Sequence, residues 1–281
     1  MDFLQRDQAP LTEEEWEQID KTVYEVAKNT LIGRRFIPVV GPIGAGHQVI
    51  SYDVLYGVEP GICEIKPGQE YEVCEPIRTG IRKHVPIPTL YKDFVISWRD
   101  LQHWRQFNLP IDTTNAAAAA SALAVAEDTL IIFGSNELGI EGLLTAEGVE
   151  TAKLSDWNKV GNAFSDVVNG ISKLVEKGFY SNYYLIVNPK RYFLLNRLHD
   201  NTGLLELEQI KKVVKDVYQT PIMPEDKVLL VSASPANFDL VIALDMTVAF
   251  VETSNMNHTF RVMEMVVPRI KRPESILVLS A

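Results

Sequence analysis

A chain of 281 residues with 46% apolar and 23% charged residues can build one large or two ordinary domains around a real core. Its formal charge of −10 argues against a protein that wraps nucleic acid, which needs a basic face. With only Cys63 and Cys74, it has neither a disulfide framework nor a zinc site, and both are expected as free thiols, a local bridge being the alternative.

The first residues, MDFLQRDQAP, lack the basic start and apolar centre of a signal peptide. The longest apolar runs, near 116–126 and 238–251, are too short for a bilayer or contain Asp239 and Asp245. A cytoplasmic location is therefore expected. The first helix is predicted over 12–31. Thr12 and Glu15 form a capping box, and Trp16, Ile19, Val23, Val26, Ala27 and Thr30 recur at helical spacing.

RRFIPVV follows and reads as extended, because Pro38 disfavours helix at the preceding residue. Next comes VVGPIGAGHQ, in which Gly41 and Gly46 have the spacing of a phosphate-binding G-x-x-x-x-G-K-[ST] loop. His47 and Gln48 stand where that loop needs Lys and Ser or Thr, and the sequence beyond is strand-like rather than helical. A structural bend is expected. Residues 48–95 are β-branched and aromatic, and prolines and glycines break them into short extended pieces. They read as a long hairpin-like arm that needs a neighbour to pack on.

A short helix over 99–107 precedes a long alanine-rich helix over 113–134, whose small side chains let another element approach closely. Residues 150–220 suggest a compact α/β unit. Ser155 is expected to cap a helix that Gly178 stops, YYLIVN forms a buried strand, Pro189 opens a helix, and a further helix runs from Leu204 to Tyr218. KVLLVSA, FDLVIALDMTVAFVE, HTFRVMEMVVPRI and SILVLS close the chain as strands, expected to pack back on the early helices. The order predicts an α+β fold.

Catalytic constellations are missing from the sequence. There is no H-E-x-x-H, G-x-S-x-G or C-x-x-C, the five histidines are scattered, and no Glu-x-x-His pair marks a di-iron bundle. An enzyme is disfavoured, and an arm that cannot bury itself suits a protein that packs against copies of itself.

MDFLQRDQAPLTEEEWEQID, then LIGRRF with GP shortly after, LPID before the long helix, GLL at 142–144 and FDLVIALDMTVAFVE together resemble the encapsulins, bacterial nanocompartment shell proteins. The resemblance spans nearly the whole chain, and the linocin-like family 1 is the match. It implies the tailed-phage major capsid fold of the Hong Kong 97 type. The peripheral domain would comprise 1–48, 91–136 and 226–281, the extended arm (E-loop) 49–90, and the axial domain 137–225. It further implies self-assembly into an icosahedral shell, in multiples of sixty subunits, around cargo enzymes with a C-terminal targeting peptide. A ferritin-like iron oxidase is the first expected cargo, for iron storage, and a peroxidase the second. A phage or prophage capsid protein is the alternative.

Carried over position by position, the resemblance places the cargo peptide between Val26, Thr30, Arg34 and Phe36 on one side and Leu240, Asp245, Met246 and Val248 on the other. Pro38 departs from relatives that carry an acid there. The turn His199, Asp200, Asn201, Thr202 and Gly203 would line a pore. Some relatives bind flavin through an aromatic residue near the arm's base. Here Trp98 is offset by one, so neither flavin nor any other cofactor or metal is expected.

Overall fold

A computed structural model describes residues 2–56, 80–198 and 203–281. Most of the expected arm, Cys63 and Cys74, and pore-turn residues His199, Asp200, Asn201 and Thr202 lie outside the described residues.

The first helix, α1 (Glu13–Thr30), carries the expected capping box: Glu15 N donates to Thr12 Oγ1 at 3.3 Å, and Thr12 N to Glu15 Oε2 at 2.8 Å. Gly33–Arg35 then makes a single 3-10 turn where an extended segment was expected. Strands β1 (Val39–Val40), β2 (Val49–Val54), β3 (Ile81–Pro86) and β4 (Thr89–Ile96) follow, then α2 (Trp98–Gln106) and α3 (Thr114–Phe133). Next come β5 (Gly134–Ser135), β6 (Ile140–Glu141), β7 (Glu150–Lys153), α4 (Asn162–Glu176), β8 (Tyr183–Val187), α5 (Pro189–Leu195) and α6 (Glu206–Ile210). The chain ends with β9 (Asp216–Gln219), β10 (Lys227–Ser232), β11 (Phe238–Ser254), β12 (Asn257–Ile270) and β13 (Ile276–Ser280).

Residues divide into two compact units. The first holds 1–50, 86–142 and 240–268. Its four-stranded sheet has the order β1-β11-β12-β4, with β12 antiparallel to β4 from His258↔Ile96 to Met265↔Thr89. Trp16, Ile19 and Val23 of α1 pack with Phe94, Val248 and Phe260 of the sheet and with Ala116, Ala119 and Ala120 of α3. The alanines of α3 do what their small size predicts and bring helix and sheet together. By length and composition α3 could span a bilayer, longer than the sequence reading allowed, yet most of it is buried within the molecule.

The glycine bend runs along β11. Val39 and Val40 pair in parallel with Leu240 and Val241, after which Ile43 N donates to Ile242 O and Gly44 N to Ala243 O. Gly41 has φ +133°, and a Cβ there would sit 2.2 Å from Ile242 O, so only glycine fits. The bend enters a strand, β2, as the failed phosphate-loop reading required.

The second unit holds 51–85, 143–239 and 269–281. A five-stranded mixed sheet, β7-β13-β10-β8-β9, is covered by α4 through Ala163, Val167 and Leu174. Gly170 lies so close that an added Cβ would meet Leu230 and Leu277 at 2.8 and 2.7 Å. β2 and β3 form a two-stranded ribbon, in which Arg82 Nε meets Asp53 Oδ1 at 2.7 Å.

Four expectations are corrected. The helix after residue 150 starts at Asn162, not at Ser155; Ser155 instead donates its N–H and hydroxyl to Asp166 Oδ2, at 2.9 and 2.8 Å, in the turn that buries Trp157. The helix expected over Leu204–Tyr218 stops at Ile210, and Asp216–Gln219 becomes a strand because β8 offers an open parallel edge, Tyr184↔Asp216 to Val187↔Gln219. β10 and β13 pair with each other and with β8 and β7 in the second unit, so only β11 and β12 pack against α1 and α3. Finally, the expected arm does not extend to residue 90, since Thr89–Ile96 is the edge strand of the first unit's sheet.

Candidate functional site

Two acids, Glu127 and Asp128, interrupt the apolar run of α3 and are buried. Each has a defined task. Asp128 Oδ1 and Oδ2 accept the N–H groups of Gly33 and Ile32 at 2.8 and 2.9 Å, which fixes the turn after α1. Burial pushes the Asp128 carboxyl up to about 6, against the opposing pull of those two N–H groups.

Glu127 faces Arg34. Arg34 Nε donates to Glu127 Oε1 at 2.8 Å and Nη2 to Oε2 at 2.6 Å, a two-pronged pair. The same guanidinium reaches Glu264 Oε2 at 3.0 Å and Asp245 Oδ1 at 2.6 Å. One cation thus serves three carboxyl groups, two of them fully buried. Burial and the neighbouring Glu127 charge push Glu264 up to about 10, so Glu264 is protonated at neutral pH. Burial alone would lower the Arg34 value, but the hydrogen bonds and charges of Glu127 and Asp245 raise it.

Above this network a groove runs between α1 and β11. One part, about 280 Å³, has Tyr24, Ala27 and Leu31 along its helix side, Met246 on the strand and Lys28, Arg34, Arg35 and Asp245 at its rim. The other, about 560 Å³, continues past the shared Tyr24 and Met246 to Val23, Asp20, Leu244 and Thr247, with Leu4 and Arg6 of the N-terminal segment. Asp20, Val23, Tyr24, Ala27, Lys28 and Leu31 lie at i, i+3, i+4, i+7, i+8 and i+11, one face of α1. Arg6 closes one end: its Nη1 and Nη2 meet Asp20 at 2.7 Å each, and its Nε donates to Val248 O at 2.9 Å. At the other end Arg35 caps α1, donating to Leu31 O and Asn29 O at 3.0 and 2.8 Å.

Of the residues expected to hold a peptide, Arg34, Asp245 and Met246 line this groove. Val26 and Thr30 are half-buried on α1 and do not line it; Val26 packs on the core. Phe36, Leu240 and Val248 are core residues, 5%, 0% and 0% exposed. The reason is strand periodicity: Leu240 and Val248 turn to the buried side of a strand whose face against α1 is sealed. Gly203, the described member of the pore turn, is exposed with φ +69°.

Sequence reasoning missed Tyr24, Ala27, Lys28 and Leu31. An aromatic residue 65% exposed on a helix already supplied with a buried stripe was the available signal. It also missed Glu127 and Glu264, of which an acid inside an apolar helix was the visible half. Among the described residues no group of His, Cys, Asp and Glu is placed to hold a metal ion. The site's means are apolar pockets, a charged rim and open main chain, which suit capture of a short peptide.

Residues 1–267 match the Linocin_M18 family, described as "Encapsulating protein for peroxidase". The type 1 encapsulin shell protein EncA of Myxococcus xanthus is 41% identical over 280 residues, 99% of this chain and 96% of its own length. A diheme-cytochrome-encapsulin shell fusion protein of Kuenenia stuttgartiensis is 35% identical over 96% of this chain and 74% of its own. A ferritin-like-encapsulin shell fusion protein of Pyrococcus furiosus is 28% identical over 73% and 55%. Among solved structures, a virus-like particle from Pyrococcus furiosus aligns with TM-score 0.75 and 24% identity, covering 95% of this chain and all of that one. The capsid of Myoviridae phage XM1 aligns at 0.64 and 14% over 88% and 90%. The fold is therefore the α+β Hong Kong 97-type capsid fold.

Proposed function

This chain belongs to the Linocin_M18 family of encapsulin shell proteins, and we propose that it self-assembles into a closed icosahedral compartment, in multiples of sixty subunits, around a cargo enzyme. One observation carries the reading: likeness to shell and capsid proteins runs from end to end, in sequence at 41% identity and in fold at TM-score 0.75. Nothing of the chain is left over for a catalytic domain, and the reading assigns it no catalysis of its own. The contrast between 41% identity to a shell protein and 14% to a phage capsid favours the compartment over a phage head.

In this proposal the groove between α1 and β11 takes the cargo's C-terminal targeting peptide, with Tyr24, Leu31 and Met246 as apolar contacts and Arg34 and Asp245 as charged ones. The first unit is assigned the peripheral role and the second the axial role, with the turn His199–Gly203 at a pore and residues 49–86 in an arm lying on a neighbour. The cargo is read first as a ferritin-like iron oxidase, so that the shell stores iron, with a peroxidase second. The printed fusion of a ferritin-like domain to a shell relative supports the first and the family description the second. A cytoplasmic site fits this role.

Electron microscopy of the purified chain tests the shell. Uniform hollow particles are expected; monomers or small open oligomers across salt and pH would reject it.

A further inference from the structure

The inference concerns how the groove holds its occupant, and it rests on the cargo-peptide reading above. β11 lies between β12 and β1, but β1 covers only Leu240 and Val241 on its side of the strand. Ile43 N and Gly44 N continue the seam by donating to the Ile242 and Ala243 carbonyls. The next group met on that side is Arg6, whose Nε donates to Val248 O. Among the described residues, no strand pairs with β11 there between Ala243 and Val248.

Parity identifies the groups left over. The carbonyls of Ile242 and Val248 both point to that side, and they are an even number of residues apart in one continuous strand. The main-chain groups of Leu244 and Met246 therefore point the same way. Leu244 and Met246 are also the strand residues that line both halves of the groove or its centre. The lane over 244–247 is about 13 Å long. It continues the existing β1–β11 pairing directly, and α1 walls it with Tyr24 and Leu31.

Asp245 occupies part of this lane. Its Oδ1 accepts the N–H of Met246 at 2.8 Å while Arg34 Nη1 donates to it at 2.6 Å. That carboxylate oxygen stands where the carbonyl of an added strand would accept, and Arg34 provides it with somewhere to swing.

We infer that the occupant is an extended peptide that adds as a strand to the open edge of β11, continuing the lane of β1 and displacing the Asp245 carboxylate from Met246 N–H. Main-chain pairing supplies affinity without regard to sequence. The pockets beside Tyr24, Met246 and Leu31 select apolar side chains at alternate positions, because only those turn toward the groove.

The full-length chain is co-expressed with a fluorescent protein bearing a randomised ten-residue C-terminal tail. Tails retained in purified assemblies are sequenced, and the best is scanned with proline. Strand addition predicts a period of two: proline lowers retention at least tenfold at alternate positions and little between them, since it lacks the N–H that pairs. Tyr24→Asp, at an exposed position that does not threaten folding, lowers retention of every selected tail tenfold or more. Retention that responds to Tyr24→Asp but shows no alternation with proline overturns strand addition and leaves the groove standing. Retention indifferent to Tyr24→Asp, or no enrichment of any tail, overturns the groove and the inference with it.

Discussion

Arg34 and Glu127 form a two-pronged pair, Nε–Oε1 2.8 Å and Nη2–Oε2 2.6 Å, directly beneath the groove between α1 and β11. The Glu127 side chain is fully buried and that of Arg34 is 19% exposed. A charge so placed is held by its partner, and the partner's loss leaves it unanswered.

Arg34→Ala accordingly strands Glu127. The expected loss is about 3–5 kcal/mol of stability, read as a drop in Tm on the order of 10 °C. Glu264→Gln, in contrast, replaces a carboxyl already protonated at neutral pH and changes stability at pH 7 by less than about 1 kcal/mol. Equal and small effects of both substitutions would show that the network is not energetically coupled.

The same network sets a pH dependence. Folding raises Glu264 from the ordinary 4.5 to about 10, so the native state binds this proton more tightly than the unfolded chain. The contribution is fully present below pH 4.5 and is lost as pH rises toward 10. Asp128, raised from 3.8 to about 6, loses its share between those values. Thermal unfolding from pH 6 to pH 10 should therefore show Tm falling in the wild type by at least about 5 °C more than in Glu264→Gln. Parallel curves would contradict the assignment.

Gly41 and Gly46, two residues of one motif-like spacing, should respond oppositely to alanine. Gly41→Ala puts a Cβ 2.2 Å from Ile242 O at φ +133° and should cost well over ~1 kcal/mol. Gly46, with nothing within 4 Å of an added Cβ and no positive φ, should accept alanine within about 1 kcal/mol. Denaturant midpoints of the two variants check this.

Buried and lining positions should also separate. Met246→Asp and Tyr24→Asp are expected to leave assembly intact and reduce cargo retention, whereas Phe36→Asp and Val248→Asp place a carboxylate in the core and should prevent folding. Soluble, assembled Val248→Asp that has lost only its cargo would reverse the placement of that residue.

Much of this was legible in the sequence. The α1 capping box, the alanine face of α3 and the failure of the phosphate-loop spacing all depend on local chemistry, and each appears where the residues put it. The pieces that misled depend on what a segment packs against. Residues 204–218 satisfy helical spacing, yet Asp216–Gln219 is drawn into a strand by the free edge of β8. Leu240, Phe36 and Val248 are indistinguishable by type from groove residues, and only the direction of their side chains in the folded sheet consigns them to the core. Tyr24, Lys28 and Leu31 lie on a helix face whose partner, β11, follows more than two hundred residues later, too far for spacing to reveal.

The most direct test is a reconstruction by electron microscopy of shells purified with their cargo. The account predicts a closed particle with additional extended density on its inner wall, along β11 between Ala243 and Val248 and against Tyr24 and Leu31 of α1. Closed shells whose α1–β11 groove faces outward, or in which cargo density attaches elsewhere while this groove stays empty, would contradict it.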